Sequence, residues 1–224
     1  MEREEGKQFL PLVGKPVLAH ALTSFQQASL IDSIIVVTAA ENFEKCLAVI
    51  DRYNITKFDR VVIGGDERQD SVYSGLLAAT EFEKANIVVV HDGARPLVEP
   101  GLIDKVTGAI DDCDGAIVGT PAKDTIKLVR EGYVVETLDR AVTWQVQTPQ
   151  VFRFDDLLRA HDRARAEGYY GTDDSVLVER AGGKVKIVPG SDENIKITMP
   201  SDLVVAEAIL KRRTEQGEMR PRSS

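Results

Sequence analysis

The run Ile87-Val-Val-Val-His-Asp-Gly-Ala-Arg-Pro96 sets a carboxylate and an arginine three residues apart, at the end of an apolar stretch. Open α/β sheets bind ligands at the carboxyl ends of their strands, so Asp92 and Arg95 stand where a metal-bound polyphosphate is expected. Asp92 offers hard oxygen ligands suited to Mg²⁺, and Arg95 a planar fork for phosphate. A capping aspartate beside a surface arginine would account for the same few residues. Another polar stretch, Gly64-Gly-Asp-Glu-Arg-Gln-Asp-Ser71, follows a separate apolar run and opens a helix. Its paired glycines let a ligand approach the backbone, and Asp66 and Ser71 add an acceptor and a donor near a helix N-terminus. A Gly-Gly turn with a capping aspartate explains it as well. It is neither a dinucleotide fingerprint nor a Walker loop.

Cations that could meet an anionic substrate are dispersed: Lys7, Lys123, Lys127, Arg140, and Lys196 within Asn194-Ile-Lys-Ile-Thr198. Lys196 interrupts an apolar alternation in what reads as a short strand, although a solvated strand face also explains such a residue. Lys123 and Lys127 fit edge charges that discourage aggregation. Three stretches are polar where a core would be apolar: Gln147-Thr-Pro-Gln150, Thr172-Asp-Asp-Ser175 and the pair Asp139-Arg140. Thr172-Asp-Asp-Ser175 has the form of an N-cap with acids in the first turn, and Thr148 before Pro149 that of a turn start. His20 falls on the apolar face of a helix, His161 on a polar face, and His91 on the strand face opposite Asp92, which leaves no general base. No Ser/His/Asp or Cys/His set is evident, and Cys46 and Cys113 read as inert helix residues.

Positioning these groups requires a scaffold, and the chain reads as one. Ser33–Thr38, Val61–Ile63, Ile87–Val90 and Gly115–Thr120 are continuous apolar runs, as expected of parallel strands covered on both faces. Between them the helical segments are Pro16–Ala28, Asn42–Tyr53, Asp70–Glu83 and Pro100–Asp111. Strand and helix in alternation specify a doubly wound, mostly parallel α/β sheet. Asp124–Arg130, the turn Glu131-Gly132 and Tyr133–Leu138 read as a β-hairpin, an arm at 124–138 on a single domain of 1–224. Helices at Phe154–Glu167 and Asp173–Ala181, a strand at Lys184–Val188, a closing helix at Pro200–Arg213 and a frayed tail over Glu215–Ser224 complete the reading.

Composition narrows the partners. Twenty-eight basic against 36 acidic residues give a net charge of −8, so the surface repels nucleic acid and anionic membrane. With two distant cysteines, no metal-ligand spacing, no membrane-length apolar run and a charged beginning, the chain reads as a soluble protein of the reducing cytoplasm.

Taken in order, from Gly6-Lys-Gln-Phe-Leu-Pro-Leu-Val-Gly-Lys-Pro-Val-Leu18 to Asn194-Ile-Lys-Ile-Thr-Met-Pro-Ser-Asp-Leu203, the motifs resemble the 2-C-methyl-D-erythritol 4-phosphate cytidylyltransferases of the non-mevalonate isoprenoid pathway. The resemblance implies a nucleotidyltransferase variant of the doubly wound sheet, with the arm exchanged in a homodimer, and transfer of a cytidylyl group from CTP with Mg²⁺. It makes Lys7 a triphosphate ligand, and Gly65, Asp66 and Ser71 contacts to cytosine and ribose. Asp92 would hold Mg²⁺ with Arg95 near the sugar phosphate. Arg140, Thr148 and Lys196 would hold the methylerythritol phosphate, with Thr125 from the partner's arm and Thr172 lining the same pocket.

Members of the family begin with a strand and an Ala-Ala-Gly-x-Gly loop, which this sequence lacks. A central strand upstream of Met1 is therefore expected, and with it a gap in mid-sheet in its absence. Two other readings stay open. A ribitol 5-phosphate cytidylyltransferase shares the scaffold, although Thr137-Leu-Asp-Arg-Ala-Val-Thr-Trp144 is more similar to the methylerythritol branch. A catalytically inactive dimeric binding module would differ from both in not consuming CTP.

Overall fold

The structure is a computed structural model and describes residues 6–82 and 85–218. A 3-10 turn at Lys7–Phe9 leads into a small antiparallel pair, β1 (Pro11–Leu12) and β2 (Lys15–Pro16), and then α1 (Val17–Gln27). There follow β3 (Ile34–Thr38), α2 (Phe43–Arg52), β4 (Phe58–Ile63), α3 (Arg68–Ala79), β5 (Ile87–Val90), α4 (Pro100–Thr107) and β6 (Gly115–Pro121). The arm is β7 (Lys127–Arg130) and β8 (Tyr133–Thr137); β9 (Trp144–Arg153), α5 (Phe154–Ala166), α6 (Asp174–Arg180), β10 (Val185–Pro189) and α7 (Pro200–Glu218) complete the fold.

The alternation of β-branched runs with helices yields a mixed α/β architecture, with one difference from the expected pattern. Strand β9 contains the polar, turn-like Gln147-Thr-Pro-Gln150, yet it is ten residues long and antiparallel to both β5 and β6. It is bound on both sides, so Thr148, Gln150 and the apolar Val151 and Phe152 are all buried. Tertiary pairing overrides the weak local strand signal of that stretch. The sheet order is β10-β6-β9-β5, with β10 parallel to β6. Strands β3 and β4 form a separate parallel pair.

Among the described residues nothing pairs with the free edges of β3 and β5. Between them lies a cavity of about 1220 Å³, lined by Val36 and Val88 of those strands, Ala21 and Phe25 of α1, and Val72 and Leu76 of α3. The mid-sheet gap expected from the sequence is thus present, with apolar helix faces on both sides of it.

Smaller corrections follow from packing. Lys196 lies in a loop, where the Ile197 N–H is given to the Ala94 carbonyl at 2.8 Å, not in a strand. Cys113 lies in a turn rather than a helix. Helix α7 runs to Glu218, so the first residues of the expected frayed tail are helical; 219–224 lie outside the described residues, as does Glu83 at the end of one expected helix. The arm forms as expected, closed by Glu131 at φ +50° and Gly132 at φ +83°. Both conformations are left-handed, which glycine adopts without a Cβ clash.

Candidate active site

Strand β5 ends at Val90, and the chain turns back at once: the Arg95 N–H donates to the Asp92 carbonyl at 2.9 Å. This turn sets the Asp92 carboxylate beside three cations. Lys196 Nζ stands 3.0 Å from Oδ2 and Arg95 Nε 3.6 Å from it, while Arg68 Nε donates to Oδ1 at 3.2 Å. The carboxylate is mostly buried, and burial by itself would raise its pKa. Lys196 and Arg68, then Arg95, outweigh that and hold it below the ordinary value, so the group is an anion. Three positive charges stand around Asp92, and one of them, Arg68, is shared with Asp174, which still leaves a local excess of cation on a chain that is acidic overall.

The turn is held from beneath by β9. The Asp92 N–H donates to Thr148 Oγ1 at 3.1 Å, and the same hydroxyl lies 3.0 Å from His91 Nδ1. With the hydroxyl proton given to Nδ1, the proton of His91 is on Nε2, which faces the Arg95 carbonyl at 3.2 Å. Burial pushes the imidazole down to about 4, in keeping with a neutral ring that braces the turn. Arg95 donates to the Asn194 carbonyl at 2.7 Å, and Asn194 Nδ2 to the Thr148 carbonyl at 2.9 Å. These bonds tie the β5 turn, β9 and the 194–198 loop together. Burial lowers the Arg95 pKa, partly countered by Asp92.

Lys7 reaches the same loop, donating from Nζ to the Thr198 carbonyl two residues beyond Lys196. The Gly64–Ser71 stretch links β4 to α3, and of it Arg68 and Ser71 line the cavity: the Ser71 hydroxyl donates weakly to the Gly65 carbonyl at 3.4 Å, and Asp66 is exposed. A Cβ on Gly64 would sit 2.4 Å from Ser71 Oγ, so a larger residue there would displace the Ser71 hydroxyl from its present position. Thr172 is exposed beside Asp173, which caps α6 by accepting the Val176 N–H at 3.1 Å. Thr125 belongs to the arm, and Arg140 to the turn that follows it, where it bonds only weakly to the Lys123 carbonyl at 3.4 Å. The structure therefore brings Asp92, Arg95, Thr148 and Lys196 into one network, sets Lys7 on its rim, and leaves Ser71 at the gap, Gly65 and Asp66 on the β4–α3 turn, Thr125 on the arm and Arg140 just after it. Lys123, expected as an edge charge, pairs with Asp192 at 2.5 Å.

Sequence reasoning missed Arg68, Asp174 and Asn194, and took His161 for a residue on a polar face. His161 is fully buried, with Nε2 3.2 Å from Asp174 Oδ1. The signal was available: it shares a helix face with Leu157, Ala160 and Ala164, all buried. His20, as expected, lies on the inner side of its helix, with Nε2 2.8 Å from the Leu12 carbonyl.

For Mg²⁺ the donor set is sparse, since no cluster of three or more His, Cys, Asp or Glu occurs among the described residues. One ionised carboxylate at the foot of a cationic pocket nevertheless fits that ion, which takes one or two carboxylates and completes its shell with phosphate and water.

A family model described as "IspD: 2-C-methyl-D-erythritol 4-phosphate cytidylyltransferase" matches residues 1–212. The chain is 49% identical over 222 residues to the 2-C-methyl-D-erythritol 4-phosphate cytidylyltransferase of Pelotomaculum thermopropionicum, covering 98% of this chain and 91% of that protein. It is 48% identical to the protein of the same name from Syntrophotalea carbinolica, covering 91% and 88%. Among solved structures, 4-diphosphocytidyl-2C-methyl-D-erythritol synthase from Anaerococcus prevotii superposes with a TM-score of 0.83 at 30% identity, covering 90% of this chain and 88% of that one. The Thermus thermophilus cytidylyltransferase gives 0.77 at 32%, covering 92% and 94%.

Proposed function

The chain belongs to the 2-C-methyl-D-erythritol 4-phosphate cytidylyltransferase family: it transfers a cytidylyl group from CTP to that sugar-alcohol phosphate in isoprenoid biosynthesis, and from this premise we propose how its own residues carry the transfer. The observation behind the reading is the ring of Arg68, Arg95 and Lys196 around a buried, ionised Asp92. Two polyanions must meet in this reaction, and a pocket with surplus fixed positive charge lowers the cost of bringing them together.

A phosphate oxygen of methylerythritol phosphate attacks the α-phosphorus of CTP. The new P–O bond forms as the bond to the β-phosphate oxygen breaks, and pyrophosphate leaves with that electron pair. Lys7 and Lys196 act as the catalytic cations, neutralising charge on the triphosphate and on the transferring group. Arg95, Arg140 and Thr172 hold the sugar phosphate, while Thr148, expected from the sequence to touch it, has its buried hydroxyl committed to Asp92 and His91 and braces the turn instead; Gly65, Asp66 and Ser71 hold the nucleoside. Mg²⁺, held by Asp92 together with the nucleotide phosphates, would supply Lewis-acid stabilisation of the same charge. No proton has to be removed from an already ionised phosphate, which agrees with a site whose histidine is neutral and braced.

A homodimer completes this picture. Every residue of β7 and β8 is exposed, including Leu128, Tyr133 and Val134, and a two-stranded ribbon is marginal on its own. Packed on a second copy, the arm would carry Thr125 to the neighbour's pocket, so that 1–224 acts as one domain with 124–138 as its dimerisation element. The compartment we assign is the cytoplasm, supported by the two free thiols of Cys46 and Cys113.

Pyrophosphate release is the measurement, with CTP and either methylerythritol phosphate or ribitol 5-phosphate. Turnover with the first substrate is expected; turnover confined to the second, or none with either, refutes the reading. Mixing Thr125→Ala with Lys196→Ala subunits tests the shared site. Activity above that of either parent is expected, and none means that each subunit works alone.

A further inference from the structure

Behind Asp92 lies a chain of groups that the transfer itself does not use. Arg68, the first residue of α3, gives Nε to Asp92 Oδ1 at 3.2 Å, and its Nη1 lies 2.8 Å from Asp174 Oδ2. Asp174, the first residue of α6, is 1% exposed, and its other oxygen is 3.2 Å from Nε2 of the fully buried His161. His161 is stacked at 6.1 Å on Tyr73, whose hydroxyl donates to Asp162 at 2.8 Å. A buried carboxylate is costly unless paired and hydrogen-bonded on both oxygens. This one faces His161 through Oδ1, while Oδ2 is left without a hydrogen bond and is balanced only by the charge of Arg68, so the ion pair with the guanidinium is what offsets its burial.

We propose that Asp174 is a positioning residue for the transfer site: anchored by His161, it fixes the Arg68 guanidinium in the orientation that holds Oδ1 of Asp92, leaving Oδ2 to Lys196 and the substrates. The proposal rests on Asp92 being the pivot of the site. Arginine suits the task because its planar fork can span two carboxylates from different elements, which a single ammonium cannot do with the same fixed geometry. Nothing in this arrangement needs Asp174 or His161 to touch a substrate. Their effect passes through Arg68, as outer-shell partners of reactive groups commonly act.

The test is a double-mutant cycle on pyrophosphate release, with the unaltered enzyme measured alongside so that failure of the activity itself is seen separately. Asp174→Asn keeps the shape but turns an amide toward Arg68. It is expected to lower kcat by about 10- to 100-fold, the range found for outer-shell partners, with the KM for CTP little changed. In an Arg68→Gln background the same substitution is expected to cost nothing further. Losses that multiply in the double variant would mean that Asp174 acts independently of Arg68 and would overturn the proposal. Unaltered kcat in Asp174→Asn would do the same. If Asp174→Asn does not fold, Arg68→Lys decides: loss of kcat in a folded protein is expected, and full activity overturns the proposal. An activity-independent measurement is the Nε–H resonance of Arg68. Slow solvent exchange is expected in the native protein and fast exchange in Asp174→Asn, and equal exchange in the two would count against the anchor.

Discussion

Strands β5, β6, β9 and β10 and the pair β3–β4 are built from the same kind of apolar, β-branched run, yet the first group forms a continuous sheet and the other stands apart across a cavity. In the continuous half, β9 is paired on both edges, and Val151 and Phe152 are completely buried. The polar groups there are equally constrained: Thr148 and Asn194 each join two segments of the site. In the other half, Val36 packs on a cavity, and the Ser71 hydroxyl reaches the Gly65 carbonyl only at 3.4 Å. A site is only as rigid as the strands that carry it, and the phosphate-facing side of this one stands on the better-supported half.

The comparison can be broken by measurement, beginning with its largest effect. Phe152→Ala is expected to cost about 3–5 kcal/mol, because it empties a close-packed position. Val36→Ala, beside existing empty space, should cost nearer to about 1 kcal/mol. Urea unfolding of the two variants measures the difference, and equal losses would mean that the two halves are packed alike. Next in size is the division of activity: Asp92→Asn is expected to reduce kcat on the order of 100-fold or more without unfolding the protein, since it removes the carboxylate on which Lys196, Arg68 and Arg95 converge. Ser71→Ala, which removes only that long side-chain hydrogen bond, should change turnover less than about tenfold. Steady-state kinetics with CTP varied would expose a reversal.

A gain of about 1 kcal/mol is expected from Ala21→Leu, whose longer side chain enters the cavity from α1. A loss in thermal stability instead would show that the space is not free to accept it. The smallest effect is electrostatic. Asp104 accepts the Ser29 and Leu30 N–H groups at 3.0 and 2.9 Å. Burial opposes its ionisation, but the Leu30 and Ser29 amides, the Ser29 hydroxyl and Lys57 hold its carboxyl below the ordinary value of 3.8. A depressed carboxyl contributes stability above the unfolded value, and that contribution is lost as pH falls below about 4 and through the folded value. Asp104→Asn should therefore show a shallower fall in stability in that acid range, and identical slopes would remove the assignment.

The element order was legible because its signals are local. Pro100 opens α4, Glu131-Gly132 closes the arm, and the runs Ile34–Thr38 and Ile87–Val90 are strands for the reasons their composition states. Even the break between β3 and β5 could be expected, since only the short β1–β2 pair, which joins neither sheet, precedes α1. Asp92, Arg95 and Lys196 were also within reach, as charges at the ends of apolar segments.

What pattern could not supply is which distant charges would meet. Arg68, Asp174 and His161 are inconspicuous on their own helices. Packing of α3, α5 and α6 buries Asp174 and His161 and sets the part-exposed Arg68 against them, and desolvation of the carboxylate then makes the paired arrangement the stable one. The same holds for β9, whose polar middle became strand because two neighbours needed its backbone groups. Local spacing determined the elements and the candidate carboxylate. The tertiary structure decided which cations surround it, because that depends on burial and pairing between segments far apart in the chain.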